Sequence, residues 1–434
     1  MRHAATVALV VGAAAAAPGT AHAEPRPLHL ADAIALATGH SPDVAAARAA
    51  AGVAAARVDG ARARRLPALR VDAQGQRYAE AATVDFGGAA FTLHDATTSV
   101  TSVKLVQPLT GLLAIGHQVG AARHDQDAAR ADRGRAQLDA GHAAAEAFVR
   151  VLAADAAATV AHGSVTQLAA DLERARALRQ ADSITDVDVL RLESAAAAAT
   201  QAAVKADAAQ AVAHAQLAVT LGLPGDAELA PIDDLPTPPP PLPMSLAEAL
   251  TRAGARPELA AAQAQVDAAA GRVRASRDQY LPDVRAVAGF THTTGLGPFQ
   301  PANEEYLGLT LSWTAWDWGA TAAGVREAEA ARDRAAAGVA TLHDRVEVDV
   351  RRRWLEAQAG HDSLAAAAVQ LAAAEEAYRL QQVRFASAAA TTTDVLDAEA
   401  EVARARLQAA LARDDYFLAL LALERATGRP PSLP

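Results

Sequence analysis

Asp394 and Asp397 stand three residues apart in Thr393-Asp394-Val395-Leu396-Asp397-Ala398, a spacing that puts both carboxylates on one face of a starting helix. Carboxylates at that place cap the helix and complement its dipole, so capping is the plain reading of the pair. His117 and His124 lie seven apart on one helical face with Asp125 beside the second. Such a set could hold a metal ion, but solvated histidines explain it more simply, and we assign no metal site. Trp313, Trp316 and Trp318 cluster where an apolar alternation gives way to a helical pattern. They suit either an aromatic girdle at a membrane interface or packing below a sheet. No Ser-His-Asp order, Gly-rich phosphate loop or metal-spaced His pair stands out, so neither an enzyme nor a cofactor is expected.

The elements that position these residues follow from composition. Ala is the commonest residue, aromatics are 4%, and the chain of 434 residues has no cysteine. Ala favours helix while strands favour branched and aromatic side chains, so the fold should be mainly α with a small β part. The missing cysteines exclude disulfides, thiolate metal sites and lipid attachment to Cys. A net charge of -10 leaves no basic stripe for nucleic acid.

Arg2 and His3 precede an apolar run from Ala4 to Ala17, and Ala21-His22-Ala23 has the small-x-small form of a cleavage site. Residues 1–23 therefore read as a signal peptide, with Glu24 as the mature start and no transmembrane helix after it.

Self-similarity divides the remainder. Leu30-Ala31-Asp32-Ala33-Ile34 is echoed by Leu246-Ala247-Glu248-Ala249-Leu250, Leu66-Pro67 by Leu281-Pro282, and Asp188-Val189-Leu190 by Asp394-Val395-Leu396, in the same order. We read a first repeat over 24–222, a proline-rich linker over 223–244 and a second repeat over 245–434. The segment Pro224 to Pro243 holds eight of the 21 prolines, which suits an extended linker rather than a packed element. Each repeat should run through a short helix, a helix ending at Leu-Pro, two strands of about ten residues, a helix of roughly 70 residues or about 105 Å, and a return helix of about 50 Å. Leu307, Leu309, Leu311 and Trp313 alternate with Gly308, Thr310 and Ser312, which is strand periodicity with one apolar face. The first repeat is nine residues longer between its strands, and Phe86-Gly87-Gly88-Ala89-Ala90 reads there as a surface loop.

Four strands with one lipid-compatible face cannot close alone, because an open edge in lipid leaves backbone groups unpaired. Two copies give eight strands and a filled interior; three give twelve strands and a lumen. The paired halves, their openings, the Leu-Pro before each strand pair and the Asp-Val-Leu turns resemble the TolC family of outer-membrane efflux proteins. That resemblance spans Leu28 to Gly428. It implies a homotrimer with a twelve-stranded barrel in outer-membrane lipid above a long antiparallel α-helical coiled-coil barrel in the periplasm. It further implies an exit duct for efflux or type I secretion, partnered by a periplasmic adaptor and a proton- or ATP-driven inner-membrane pump. The family's gate aspartates map onto Asp394 and Asp397, and Ile184-Thr185-Asp186-Val187 matches the first-half tip, placing Thr185 and Asp186 at the gate. The Arg that some members place four residues before the first gate aspartate is Ala390 here, so no bridge to Asp186 is expected from that position. The glycines usual at both tips are absent too. A periplasmic coiled-coil adaptor or structural protein is the alternative that periodicity alone leaves open.

Overall fold

The structure is a computed structural model that describes residues 26–297, 300–387 and 389–432. The signal peptide expected over 1–23 lies outside the described residues. The first half runs β1 (Arg26–Leu28), α1 (Leu30–His40), α2 (Pro42–Ala63), β2 (Ala68–Arg77), β3 (Ala82–Phe86), β4 (Ala89–Pro108), α3 (Gly111–Gln180) and α4 (Asp186–Thr220). After β5 (Leu229–Pro231) come α5 (Leu246–Ala253), α6 (Pro257–Arg277), β6 (Asp283–Leu296), β7 (Asn303–Ser312), α7 (Ala320–Ala386) and α8 (Thr392–Ala426).

The proline pattern dictates several boundaries. Pro42 and Pro257 open α2 and α6, where a missing N–H costs nothing, and Pro67 and Pro282 follow the helices they help to end. Neither α3 nor α7 contains proline, and they run unbroken for 70 and 67 residues, each about 100 Å. No helix among the described residues is long and apolar enough to cross a membrane.

Packing gives the helices a linear order. α2 and α4 lie end to end along α3, while α6 and α8 lie between α3 and α7. The layer therefore has two open edges, α7 on one side and the α2/α4 column on the other. Its main core sits where the short helices meet, with Phe148, Val149, Leu217, Val350, Tyr416, Phe417 and Leu421 buried. Alanines line most of the remaining contacts, which lets the long helices approach closely.

The sheet repeats that order as β2-β4-β6-β7, all antiparallel. Leu69 pairs with Leu105, Leu105 with Ala288 and Ala288 with Leu307, so one face carries a continuous apolar row. Leu69, Val71, Leu307, Leu309 and Leu311 are all exposed on it.

Two expectations need correction. The surface loop expected at Phe86-Gly87-Gly88-Ala89-Ala90 is the exposed turn of a hairpin, but it is flanked by a strand not expected there, β3 paired with β4. Gly87 and Gly88 have φ of 61° and 90° between the paired residues Phe86 and Ala89, the two-residue turn that positive φ at both positions allows. The first repeat thus gives this sheet three strands rather than two. The proline-rich segment is extended but packed: β5 pairs in parallel with β1, and Leu235 and Met244 are buried. Its carbonyls also accept hydrogen bonds, at Pro240 from the Tyr416 hydroxyl (2.6 Å) and at Met244 from Trp354 Nε1 (3.1 Å).

Candidate channel gate and membrane rim

Both hairpin tips use one backbone plan. At the first, Ser183 N–H donates to Leu178 O (2.9 Å) and Asp182 N–H to Arg179 O (3.0 Å), closing the end of α3. Asp182 has φ 52°, so it takes the left-handed position for which glycine is usual. At the second, Ala389 N–H donates to Arg384 O (2.8 Å), the equivalent bond 206 residues on.

The return helices start on matched caps. Thr185 donates through its backbone N–H (3.0 Å) and its hydroxyl (2.7 Å) to Asp188 Oδ2. Thr391 makes the same pair of bonds to Asp394 Oδ2, both 2.8 Å, and Asp394 N–H returns one to the Thr391 hydroxyl oxygen (3.2 Å). Asp394 is therefore an exposed capping residue. The Thr391 backbone N–H, then its hydroxyl, hold the Asp394 carboxyl below its usual range.

Asp397 lies one turn further along α8 and is exposed, with no ion pair among the described residues. Asp186 is engaged. Arg179 Nε lies 2.6 Å from Asp186 Oδ1, and Arg179 Nη1 2.8 Å from Asp182 Oδ1. The guanidinium holds the Asp186 carboxyl below the ordinary carboxylate range. The bridge not expected from position 390 is thus supplied from within the first tip.

The structure brings the two tips together. Arg191 Nη1 donates to Thr393 Oγ1 (3.0 Å) across them, and Ile184 and Leu396 pack with Leu168 and Leu192. About two turns from the first tip, the Tyr378 hydroxyl on α7 donates to Asp171 Oδ2 on α3 (2.9 Å), and Arg174 bonds the other carboxylate oxygen. Asp171 is only 4% exposed, and nearby Glu399 is buried and pushed up by that burial. Nothing in the sequence points to the Arg179–Asp186 or Tyr378–Asp171 pairs, because the partners lie across a turn or on another helix. Arg179 with Asp182 and Asp171 with Arg174, both i, i+3 pairs, are the local signals the sequence offers.

The tryptophans belong to the opposite end. Trp313 continues the apolar alternation of β7, and all three rings are exposed in the chain. Trp316 and Trp318 meet edge to face at 5.7 Å. Trp318 has φ 55°, and the turn is held by Asp317, whose carboxylate accepts from Thr321 N–H (2.7 Å) and Gly319 N–H (3.0 Å) as it caps α7. The arrangement aims two indoles outward at the base of the sheet. His117 is taken up by Asp278 (2.6 Å), and no group of three or more candidate metal ligands comes together among the described residues.

With an open sheet apolar on one face above an open layer of paired helices, a comparison with known proteins becomes decisive. The outer membrane efflux protein family matches residues 33–223 and 250–429. The chain belongs to that family. That membership sets the adaptor alternative aside. Protein CyaE of Bordetella pertussis (strain Tohama I) is 31% identical over 182 residues, covering 41% of this chain and 38% of that protein. The chain thus matches well under half the length of this curated relative. Among solved structures, the outer-membrane channel OprN superposes with a TM-score of 0.80 at 21% identity, covering 93% of this chain and 91% of that one. The outer membrane protein VceC from Vibrio cholerae gives 0.77 at 19%, over 92% and 96%. The Neisseria gonorrhoeae MtrE outer membrane channel in its open state gives 0.75 at 19%, over 92% and 89%. At these identities the structures establish the shared fold.

Proposed function

We propose that three copies of the chain close into a duct that carries cargo passively across the outer membrane, gated at the helix tips and joined to a periplasmic adaptor and an energy-supplying inner-membrane pump. The observation that carries this reading is that sheet and helix layer are open in the same sense. β7 leads into α7 at one edge, and β2 follows α2 at the other, so a single copy-to-copy contact closes both rings. The helix edges suit each other as well. On α7 Val348, Leu355, Val369 and Val383 are exposed at multiples of seven residues, and on α4 Leu190, Val204, Val212 and Val219 are exposed along the facing edge. Heptad-spaced apolar residues on an unpartnered helix form a seam for another helix.

In the closed ring the apolar sheet face meets lipid, and Trp313, Trp316 and Trp318 form the periplasmic girdle. Asp397 and Asp394 supply six carboxylates around the axis, with Asp186 and Thr185 beside them, and the Tyr378–Asp171 bond ties the two hairpins while the gate is shut. The signal peptide 1–23 directs export, and repeats 24–222 and 245–434 with their 223–244 connection form one structural unit per chain. The test combines fractionation with migration in detergent before and after heating. Sedimentation with outer membrane and a heat-sensitive trimer band support the duct; a soluble monomer would remove it.

A further inference from the structure

On the face of the sheet opposite the apolar row, cross-strand register brings three unusual neighbours to one level. Arg70 on β2 pairs directly with Lys104 on β4, Lys104 with Gly289 on β6, and Gly289 with Tyr306 on β7. Like charges directly opposite each other in a sheet are destabilising, so the Arg70–Lys104 pair is a local cost that the strand pairing itself does not require. Arg70 recovers part of it by bonding Asp72 (2.9 Å). Lys104 has no ion pair among the described residues.

Gly289 explains how the third member joins. A Cβ there would run into the Tyr306 ring and lie 2.6 Å from its hydroxyl oxygen. Only glycine lets the phenol lie across β6 towards the strand that carries Lys104. The other charges on this face are Asp72, already bonded to Arg70, and Glu304, both on the backbone row about 7 Å further along the strands, and the mutually paired Arg285 and Asp283 at the periplasmic end.

We propose that Arg70, Lys104 and Tyr306, with their copies in the closed ring, form a lumenal belt that binds multivalent anions, so that cargo bearing several carboxylate or phosphate groups is held there on its way out. The inference rests on the trimeric duct proposed above. Six cations at one level meet anions after the acidic tips, about 100 Å earlier on the same path, have favoured cations. The reach of the belt depends on salt: the screening length is about 30 Å at 0.01 M but about 3 Å at 1 M, so its field spans a lumen only in dilute salt.

Single channels of the full chain in a planar bilayer test the belt, with inorganic tripolyphosphate added from the outer side. In dilute potassium chloride tripolyphosphate blocks the wild type, and the block vanishes at high salt. The double variant Arg70→Gln with Lys104→Gln weakens the block by about tenfold, the low end of the enrichment a charge-lined cleft gives. Heat-sensitive trimer migration checks that each variant assembles, and Lys104→Gln alone carries the test if the double variant does not. Conducting wild-type channels that tripolyphosphate does not block, or equal block in the variants, overturn the belt and leave the duct standing. Absence of any conductance removes the duct and the belt with it.

Discussion

At the first tip Arg179 holds both Asp182 and Asp186, whereas at the second tip its place, 206 residues on, is taken by buried Phe385, and Asp397 is left facing solvent. The capping threonines and the bonds that close the long helices are the same at both. Duplication has kept the backbone device and redistributed the charge, so one tip pairs its carboxylates with a cation and the other presents a free carboxylate. The sheet shows the opposite pattern. There the two halves share one apolar face, and the first has added a hairpin at the far end.

The shared face gives the largest expected effect. Leu309→Arg should destabilise the barrel by about 2 to 4 kcal/mol, and Thr310→Arg, on the other face, should be tolerated. Equal membrane assembly of the two variants would break the assignment of faces.

Next comes the link between hairpins. Tyr378→Phe removes a hydrogen bond to a buried carboxylate, a loss of about 1 to 3 kcal/mol locally, and should raise resting conductance in a bilayer. An unchanged closed level would leave the bond as packing alone.

The contrast between tips is sharpened by single variants. Asp397→Ala should reduce cation preference and block by multivalent cations without altering helix content. Asp394→Ala should reduce both and also fray the start of α8, because its carboxylate receives the Thr391 bonds. Comparing reversal potentials with hydrogen exchange at residues 391–396 separates the roles.

The smallest effect is a pH dependence with two opposite parts. Burial raises the Glu399 carboxyl above its ordinary range, so its neutral form is favoured in the folded seam; the contribution is full at low pH and is lost as pH rises through the raised value. Arg179 lowers the Asp186 carboxyl, so that bridge is present at neutral pH and lost only as pH falls below the ordinary carboxylate range. Mild acid should therefore quiet the gate before stronger acid loosens it. Open probability measured against pH should show the first phase in the wild type and lose it in Glu399→Gln.

Long helices, the repeat and the lipid-facing alternation were legible because each is periodic over many residues. The β3–β4 hairpin was missed because Ala82–Phe86 alternates weakly and its Gly87-Gly88 turn also reads as a loop. The proline-rich segment reads as free linker because the groups that hold it, Tyr416 and Trp354, lie more than a hundred residues away. At the gate, capping by Asp394 follows from its place at a helix start, while its partner Thr391 is seen only in the fold. The Arg179–Asp186 bridge does not follow, since seven residues across a turn is no helical spacing.

The column of α2 and α4 is broken in the middle, while α3 beside it is not. That makes α3 a lever with its fulcrum at the core. From that level to the tip is roughly the length of α4, 35 residues or about 50 Å, so a tilt of only about 5° swings the tip by about 4 Å. Side chains at the core need shift by far less than their own width for the mouth of the duct to change its bore.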